Sequence, residues 1–536
     1  MFIDARQIPS GSVIDCGLCI VGAGAAGITL AHRLRDSGID LCLLESGGLA
    51  LDWETQSLGQ GANLGQAYSD LDSCQLRYFG GNTNAWGGWV RPLDDIDFER
   101  RSWVPQSGWP FPPSELAPYY DAVHRLCEVE DTGYDVRAAI DKLRSRDAQL
   151  IPFDDAKLET VLYRFSPPTR FGQTYREALR SAGNVRCLTN ATVLAIKASA
   201  DATRVERLSV GCLSGGGFAV TAKIFILAAG AIENARLLLL SNDVAANGLG
   251  NTHDNVGRYF MDHPHPKRTL LTRRCAIPLG LYGLSFRDRG VAVGLSLPRA
   301  VQAKEELLNY KASIYPVYAG QASRGWYSFR NLVLSLSPHW RSDPYDRFSL
   351  PFARKGISAR QIWDIARQFD KVTIAAFAQL LKPDRLVSRF ILESKPEQAP
   401  NRDSRVTLSR ERDALGRNRV AVDWRLSAND VRTVARAEEI VDGELRRLGI
   451  GELAPCEERP EERAATFVGG WHQIGTTRAH EDPKQGVVDA DCRVHGIANL
   501  FIAGASVFPT GGAVSPTPTI LALTLRLADR IERLLR

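Results

Sequence analysis

The chain has 536 residues, of which 44% are hydrophobic and 24% are charged, and its formal net charge is +5. This composition is typical of a globular protein long enough for two or more domains, and so mild a charge argues against a nucleic-acid-binding surface. No apolar run approaches 18 residues, so no membrane span is predicted. Residues 1–12 lack the basic start and apolar core of a secretory signal. We therefore expect a cytoplasmic protein, with export on a partner subunit left open.

The ten cysteines are scattered along the chain. They form no Cys/His cluster with the spacing of a zinc site, and no metal site is predicted. This cysteine usage fits a reducing compartment.

A nucleotide-binding pattern opens the chain. Residues 17–21 form a short apolar run that predicts a buried strand, and a glycine-rich turn follows it. Gly22 permits the tight turn, Gly24 lets the backbone approach a pyrophosphate, and Gly27 lets the next helix pack on the strand. Residues 25–34 have helical spacing, and the N-terminus of such a helix favours phosphate.

Residues 40–44 predict a second strand, and Glu45 ends it 21 residues after Gly24. An acid at this place is expected to accept hydrogen bonds from a ribose, and it disfavours the 2′-phosphate of NADP. The alternative is a glycine-rich turn of an ordinary α/β domain, which leaves the spacing of Glu45 unexplained.

The centre of the chain changes character. Residues 191–196, 204–212 and 223–229 predict strands, and residues 233–240 predict a helix that would complete the nucleotide sheet. From residue 266 to 455, short alternating runs predict an antiparallel sheet with two helices, over about 359–381 and 428–448. These runs cover residues 291–297, 313–317, 390–393, 405–408 and 419–424.

The helix predicted over 359–381 has an apolar side. It carries Ile362, Ile365, Phe369, Val372 and Ala376. A core-facing helix is the favoured interpretation of such a side, with a membrane-surface or partner-docking helix as the alternative.

Near the C-terminus, His472 follows a possible strand and precedes the Gly475-Thr476 turn. An imidazole suits a general base because its pKa lies near working pH. The alternative is a structural histidine.

Five ordered motifs together resemble the glucose–methanol–choline (GMC) family of flavin oxidoreductases. The motifs are the glycine-rich start, residues 80–88, 227–238 and 255–264, and the block from His472 to Asp529. The resemblance covers about residues 14–265 and 395–535 and is weak across the middle. Within the family the chain looks like the bacterial branch of pyranose-oxidase-like and glucoside-3-dehydrogenase-like enzymes.

The resemblance implies an α/β fold, α+β overall. A Rossmann-like FAD-binding domain would comprise residues 1–100, 185–265 and 460–536. A substrate-binding domain of residues 101–184 and 266–459 would hold a large antiparallel sheet flanked by helices. The implied activity is FAD-dependent oxidation of a hydroxyl group on a sugar, glycoside or cyclitol, by hydride transfer to flavin N5. Oxygen, a quinone or a redox protein would accept the electrons, and the oligomeric state stays open.

The resemblance also implies which residues contact FAD. Those at its ADP half are Gly22, Gly24, Gly27 and Glu45. Those along its pyrophosphate and isoalloxazine are Gly81, Asn84, Trp86 and Gly88. Those near its ribityl chain and ring are Gly504, Ala505, Pro516 and Thr517. The backbone of Val193 would meet the adenine. Ala25 and Ala229 are further candidates. Some relatives attach FAD covalently to a histidine at the position of Ala85, so dissociable FAD is expected here.

His472 matches the family's general base, which takes the hydroxyl proton. Ser515 stands where the family usually has His or Asn. A serine donates and accepts hydrogen bonds, but it is no second base unaided, so a redox-neutral lyase, isomerase or natural-product tailoring enzyme is the alternative function.

The remaining histidines and aromatic residues have weaker interpretations. The histidines interpreted as structural or exposed include His263, His265, His480 and His495. The aromatic candidates for stacking on a sugar, with core packing as the alternative, are Trp103, Trp109, Tyr119 and Tyr120.

Overall fold

A computed structural model describes residues 1–266, 269–274, 277, 279–283, 286, 289–321, 323–336, 358–381, 384–455 and 458–536. The strands of these residues are β1 (Phe2–Asp4), β2 (Val13–Val21), β3 (Leu41–Leu44), β4 (Gly61–Asn63), β5 (Trp89–Val90), β6 (Glu159–Phe165), β7 (Val185–Thr189), β8 (Thr192–Ala198), β9 (Val205–Gly211), β10 (Gly217–Leu227), β11 (Pro264–His265), β12 (Thr269–Arg273), β13 (Val291–Ser296), β14 (Tyr310–Tyr318), β15 (Val387–Pro396), β16 (Arg405–Arg412), β17 (Asn418–Asp423), β18 (Gly451–Leu453), β19 (Val468–Gly469) and β20 (Leu500–Ile502).

The helices of the same residues are α1 (Ala25–Leu34), α2 (Trp53–Ser57), α3 (Leu71–Cys74), α4 (Asp95–Phe98), α5 (Tyr120–Leu126), α6 (Val136–Leu143), α7 (Phe171–Thr174), α8 (Arg176–Ser181), α9 (Ala231–Leu240), α10 (Leu279–Tyr282), α11 (Arg299–Glu305), α12 (Arg324–Leu336), α13 (Ala359–Arg367), α14 (Phe369–Leu381), α15 (Ala428–Arg447), α16 (Pro460–Ala465) and α17 (Thr517–Leu535).

The largest sheet has eight strands and joins the two ends of the chain. Its order is β1-β7-β3-β2-β10-β9-β8, and β20 pairs with β10. The strands from β1 to β10 along this order, together with β20, are parallel, whereas β9 and β8 are antiparallel. The centre of this parallel sheet is apolar because it is covered on both faces, as in β3, where all four residues are buried. This is the Rossmann-like α/β sheet that the sequence predicts.

Helix α1 connects β2 to β3 and packs against α17 from the C-terminus. Its Leu30 and Leu34 are buried, and its exposed residues are polar. Helix α9 follows β10 in the same way, so two strand–turn–helix units start from adjacent strands in the middle of the sheet.

A second sheet has seven antiparallel strands in the order β18-β12-β15-β14-β13-β6-β5. Three of the strand runs predicted for the middle of the chain, 291–297, 313–317 and 390–393, lie in this sheet as β13, β14 and β15, and α15 packs behind it. The runs predicted at 405–408 and 419–424 form β16 and β17, which belong to a separate small sheet because β17 pairs with β4 from the N-terminal part of the chain. The division into two domains stays a proposal, since β5 from residues 1–100 lies at the edge of the seven-stranded sheet.

Two small sheets connect these layers. Strand β16 pairs with β17, which runs parallel to β4. Strands β11 and β19 form an antiparallel pair, with Pro264 opposite Gly469.

The helix predicted over 359–381 is two helices, α13 and α14, separated at Gln368. The core-facing interpretation is wrong for Ile362 and Phe369, which are 57% and 63% exposed. Only the α14 part contributes buried residues, because Val372 and Ala375 pack against Trp326 of α12. In the part of the chain that the structure describes, no helix combines the length and apolar character needed to cross a membrane.

Candidate active site

The glycine turn after β2 forms a cradle at the start of α1. Gly22 has φ +103°, and a Cβ on it would lie 2.6 Å from the carbonyl oxygen of Ala228. A Cβ on Gly27 would lie 1.8 Å from the carbonyl oxygen of Gly22, so α1 can approach the turn only with glycine here. A Cβ on Gly24 would meet nothing within 4 Å. Gly24 therefore faces open space at the N-terminus of α1, where the helix favours an anion.

Glu45 lies beside this turn, at the end of β3, and is buried. Its carboxylate accepts hydrogen bonds from the main-chain amides of Ala23 at 2.9 Å and Gly47 at 3.0 Å. Burial raises its pKa, and those two amides act in the opposite direction. The carboxylate is thus held in place, at the position where a ribose is expected.

The loop of residues 80–88 closes over the cradle. The amide of Gly80 donates to the carbonyl oxygen of Ala23 at 2.8 Å, and a Cβ on Gly81 would lie 3.0 Å from the Cα of Gly24. Trp86 is buried and its indole donates to the carbonyl oxygen of Thr169 at 2.8 Å.

Segments from the C-terminus complete the same cavity. The amide of Ala503 donates to the carbonyl oxygen of Leu227 at 2.8 Å, and this places Gly504 next to the end of β10. Gly504 has φ +116°, and a Cβ on it would meet nothing within 4 Å. The N-terminus of α17 contributes Pro516 and Thr517.

One cavity brings most of the predicted site residues together. The predicted residues that line it are Gly22, Gly24, Ala25, Glu45, Gly81, Trp86, Val193, Ala229, His472, Gly504, Ala505, Ser515, Pro516 and Thr517. Gly27, Asn84 and Gly88 lie outside its lining. They contact neighbouring main chain instead. The side-chain amide of Asn84 donates to the carbonyl oxygen of Phe79 at 3.0 Å, and a Cβ on Gly88 would lie 2.6 Å from the carbonyl oxygen of Ser166.

His472 reaches this cavity through an antiparallel pairing of two distant segments. Strands β11 and β19 pair on one side of it, and Met261 bridges to Ile474 on the other, with both main-chain hydrogen bonds made. His472 and the 261–265 segment are therefore held face to face. Trp471, the residue before His472, has φ +63°, a conformation that costs free energy for a bulky side chain.

The buried carboxylate of Asp262 holds this strained turn. It accepts the main-chain amides of Trp471 at 2.9 Å, His472 at 2.8 Å and His263 at 2.7 Å, and the hydroxyl of Tyr68. Burial raises its pKa to about 6, and the hydrogen bonds from Tyr68 and these amides oppose that shift.

The side chain of His263 lies directly against that of His472. The two Nδ1 atoms are 2.7 Å apart, and the ring planes are at 87°. His263 and His265 line the cavity, a placement that was not predicted from the sequence, and their interpretation as structural or exposed histidines stays a prediction. The Asp262-His263-Pro264 sequence lies in one of the five motifs and was the available signal. His480 and His495 lie outside the cavity.

The antiparallel sheet supplies part of the cavity wall. Trp89 of β5, Tyr163 of β6, and Glu393 and Lys395 of β15 line the cavity. The ammonium group of Lys395 lies 3.2 Å from the hydroxyl of Tyr315, 3.5 Å from the Glu393 carboxylate and 4.4 Å from the centre of the Trp89 ring. Burial lowers the pKa of Lys395, but Tyr315 and Glu393 outweigh it and leave the pKa raised.

The aromatic residues proposed for sugar stacking lie elsewhere. Trp109 packs against Phe98 and Phe508, the indole of Trp103 donates to the carbonyl oxygen of Leu307, and the Tyr119 hydroxyl donates to Asp529. None of the four, Tyr120 included, lines the cavity. Sequence reasoning missed Trp89, because its position depends on the pairing of β5 with β6.

The residues present fit a dinucleotide. The glycine cradle is open at Gly24, a helix N-terminus points at it, and a buried carboxylate stands beside it. Val193 and His472 line the same cavity.

Two family models match the chain. One, described as GMC oxidoreductase, matches residues 400–524, and one, described as FAD dependent oxidoreductase, matches residues 18–260. Paromamine 6'-oxidase of Streptomyces fradiae is 24% identical over 96% of this chain and 90% of its own length. The 2-methyl-1,2-propanediol dehydrogenase of Mycolicibacterium austroafricanum is also 24% identical, over 96% of this chain and 94% of its own.

Among solved structures, pyridoxine 4-oxidase from Mesorbium loti superposes with a TM-score of 0.56. It is 17% identical and covers 96% of this chain and 99% of its own. This likeness supports the fold.

Proposed function

The chain belongs to the GMC oxidoreductases, and on this premise we propose that it oxidises a hydroxyl group with FAD, with His472 as the general base. The single observation that carries the proposal is that the glycine cradle and the imidazole of His472 line one cavity, although they lie about 450 residues apart in the sequence.

FAD, when bound, supplies the two-electron acceptor that takes the hydride from the alcohol carbon. His472 takes the hydroxyl proton, so the two hydrogens lost from the alcohol are both accounted for and a carbonyl product results. The hydrogen bonds of Asp262 to the main-chain amides of residues 471 and 472 keep the base in place. Such pre-organisation lowers the free energy needed to align base and substrate.

We propose that the cofactor contacts are made by the predicted residues that line the cavity. Gly22, Gly24 and the N-terminus of α1 would hold the pyrophosphate, and Glu45 the adenosine ribose. Ala85 has only a methyl side chain and no group that forms a covalent flavin link, which supports dissociable FAD.

The substrate class we propose is a sugar, glycoside or cyclitol. Its support is the wall of Lys395, Glu393 and Trp89, because charged groups beside an aromatic ring suit a ring with several hydroxyls. The names of two relatives that span nearly the whole chain describe oxidation of paromamine and dehydrogenation of a diol, which fits a hydroxylated substrate.

The redox-neutral alternative is not favoured. Both of those relatives are named as an oxidase or a dehydrogenase, and the departure at Ser515 alone does not support a lyase. Ser515 lines the cavity and would assist by hydrogen bonding to the substrate oxygen.

The electron acceptor would be oxygen, a quinone or a redox protein, and the enzyme would work in the cytoplasm. The eight cysteines Cys16, Cys19, Cys42, Cys74, Cys127, Cys187, Cys212 and Cys492 are free and buried, which supports a reducing compartment.

The test is anaerobic bleaching of bound flavin by a panel of sugars, glycosides and cyclitols. A productive substrate should reduce the flavin, and the His472→Ala variant should do so about 10²-fold more slowly with its flavin still bound. Turnover with flavin that stays oxidised throughout would contradict the proposal, and a near wild-type reduction rate would exclude His472 as the base.

A further inference from the structure

The contact between His263 and His472 determines which nitrogen of each ring carries a proton. The Nδ1 atoms are 2.7 Å apart. A hydrogen bond of that length needs one proton between the two nitrogens, so one ring donates and the other accepts.

The other nitrogen of His263 decides the direction. Its Nε2 lies 2.8 Å from the carbonyl oxygen of Gly512 and 3.3 Å from that of Gly511. Carbonyl oxygens only accept, so Nε2 of His263 must carry a proton and donate. The ring is 3% exposed, and its burial lowers the pKa of His263, which favours the neutral imidazole. A neutral ring protonated at Nε2 has a lone pair at Nδ1.

We propose that His263 is a positioning residue, which holds His472 in the tautomer with a proton on Nδ1 and so leaves Nε2 of His472 as the basic nitrogen. This inference rests on the proposed role of His472. It assigns to a second histidine the task that a carboxylate performs for other histidine bases, namely the choice of tautomer and ring orientation.

The arrangement also serves the charged form of the base. When Nε2 of His472 takes a proton, Nδ1 still donates to the lone pair of His263, and a hydrogen bond from a charged donor is stronger than one from a neutral donor. His263 need not change its own protonation. The charged groups that act on it are Glu397 and Lys395, and Asp262 accepts its main-chain amide.

His263 connects the base to a third part of the site. Its bond to Gly512 fixes the glycine segment that leads to Ser515, so one side chain contacts both His472 and the loop before α17. Ser515 is shorter than the His or Asn that the family usually has at this position. The base is held instead by the buried His263, which belongs to the 261–265 segment.

Two substitutions separate the roles of the two ring nitrogens. In His263→Asn, the side-chain oxygen can occupy the place of Nδ1 and accept from His472. In His263→Gln, the longer amide can occupy the place of Nε2 and donate to Gly512, but no acceptor remains at Nδ1. The matched control is His124→Gln, since His124 is also buried, with its Nε2 2.9 Å from the hydroxyl of Tyr134, and lies outside the cavity.

The decisive readout is the tautomer, measured by ¹⁵N NMR on holoenzyme labelled at histidine, with the His472 signals identified by their loss in His472→Ala. We expect wild-type His472 to carry its proton on Nδ1, and His263 on Nε2. In His263→Gln the His472 tautomer should shift towards Nε2–H, whereas His263→Asn should keep it. A wild-type His472 protonated at Nε2 would overturn the inference whatever the activity.

Flavin reduction by substrate gives the second readout. We expect His263→Gln to slow it about 10- to 100-fold, with the acid limb of its pH profile moved to lower pH because the charged base loses an acceptor. His124→Gln should stay within about 3-fold, and His263→Asn should slow flavin reduction clearly less than His263→Gln, since it keeps the acceptor for His472 and loses only the donor to Gly512. Equal losses in the Asn and Gln variants would refute the inference. A wild-type rate in His472→Ala would instead refute the proposed function, while the NMR result still decides the tautomer.

Discussion

Gly24 offers a direct test of the cofactor cradle, because its substitution separates binding from folding. Gly24 has φ −83° and ψ −162°, a conformation that alanine adopts without strain. An added Cβ meets no atom within 4 Å. Gly24→Ala should therefore leave the stability of the apoprotein within about 0.5 kcal/mol of wild type.

The same methyl group would stand between the N-terminus of α1 and a bound pyrophosphate. Hydrogen bonds to a charged group contribute about 1.5 to 3 kcal/mol each. Displacing the phosphate from two main-chain amides would therefore cost at least about 3 kcal/mol, which is an increase of about 100-fold or more in the Kd for FAD.

The assay is titration of apoprotein with FAD, followed by flavin fluorescence, together with thermal unfolding of the apoprotein. Gly183→Ala is the matched control. A Cβ on Gly183 also meets nothing within 4 Å, but Gly183 lies outside the cavity, so both its Kd and its Tm should stay at wild-type values.

Gly27→Ala provides the contrast, since its Cβ would lie 1.8 Å from the carbonyl oxygen of Gly22 and should destabilise the fold itself. If Gly24→Ala bound FAD with wild-type affinity, the pyrophosphate could not lie at Gly24, which would refute the proposed binding of FAD at the N-terminus of α1.

Three further predictions concern the flavin link, the substrate wall and a buried acid. Acid precipitation of the holoenzyme should release all of the FAD into the supernatant, and flavin absorbance that stays with the pellet would contradict a non-covalent link. Lys395→Gln should raise the KM for a sugar substrate about 10-fold with unchanged FAD content, and an unchanged KM would remove Lys395 from the substrate wall. Burial raises the pKa of Asp97 to about 7, so the folded protein binds this proton more tightly than the unfolded chain does. The stabilisation of the folded state by the protonated carboxyl group is full below about pH 4 and is lost as pH rises through about 7. The Tm of wild type should thus fall more between pH 5 and pH 8 than the Tm of Asp97→Asn; equal falls would show that Asp97 does not titrate in this window.

Local patterns in the sequence were enough to predict the turn, helix and strand end around Gly22 to Glu45. The turn at Gly22, the helix over residues 25–34 and the acid at position 45 depend on neighbours along the chain, because a tight turn, a helix start and a strand end are each decided within a few residues. The structure places helix α1 at the predicted residues.

The helices over residues 359–381 depended on contacts that no local pattern encodes. The helical pattern over residues 359–381 predicted one helix facing the core, but the structure has two, and Ile362 of the first and Phe369 of the second are exposed. Periodicity indicates that a helix has an apolar side, whereas only the arrangement of other elements decides whether anything covers it.

The sequence by itself therefore determined the fold class, the family resemblance and the candidate base, since these rest on residue types at short, fixed spacings. Only the tertiary structure decided that His263 contacts His472 and that the wall of the cavity carries Trp89 and Lys395. The physical reason is the register between strands. Pairing of β11 with β19, and of β5 with β6, brings together side chains that lie tens to hundreds of residues apart, and that register results from packing of the whole molecule.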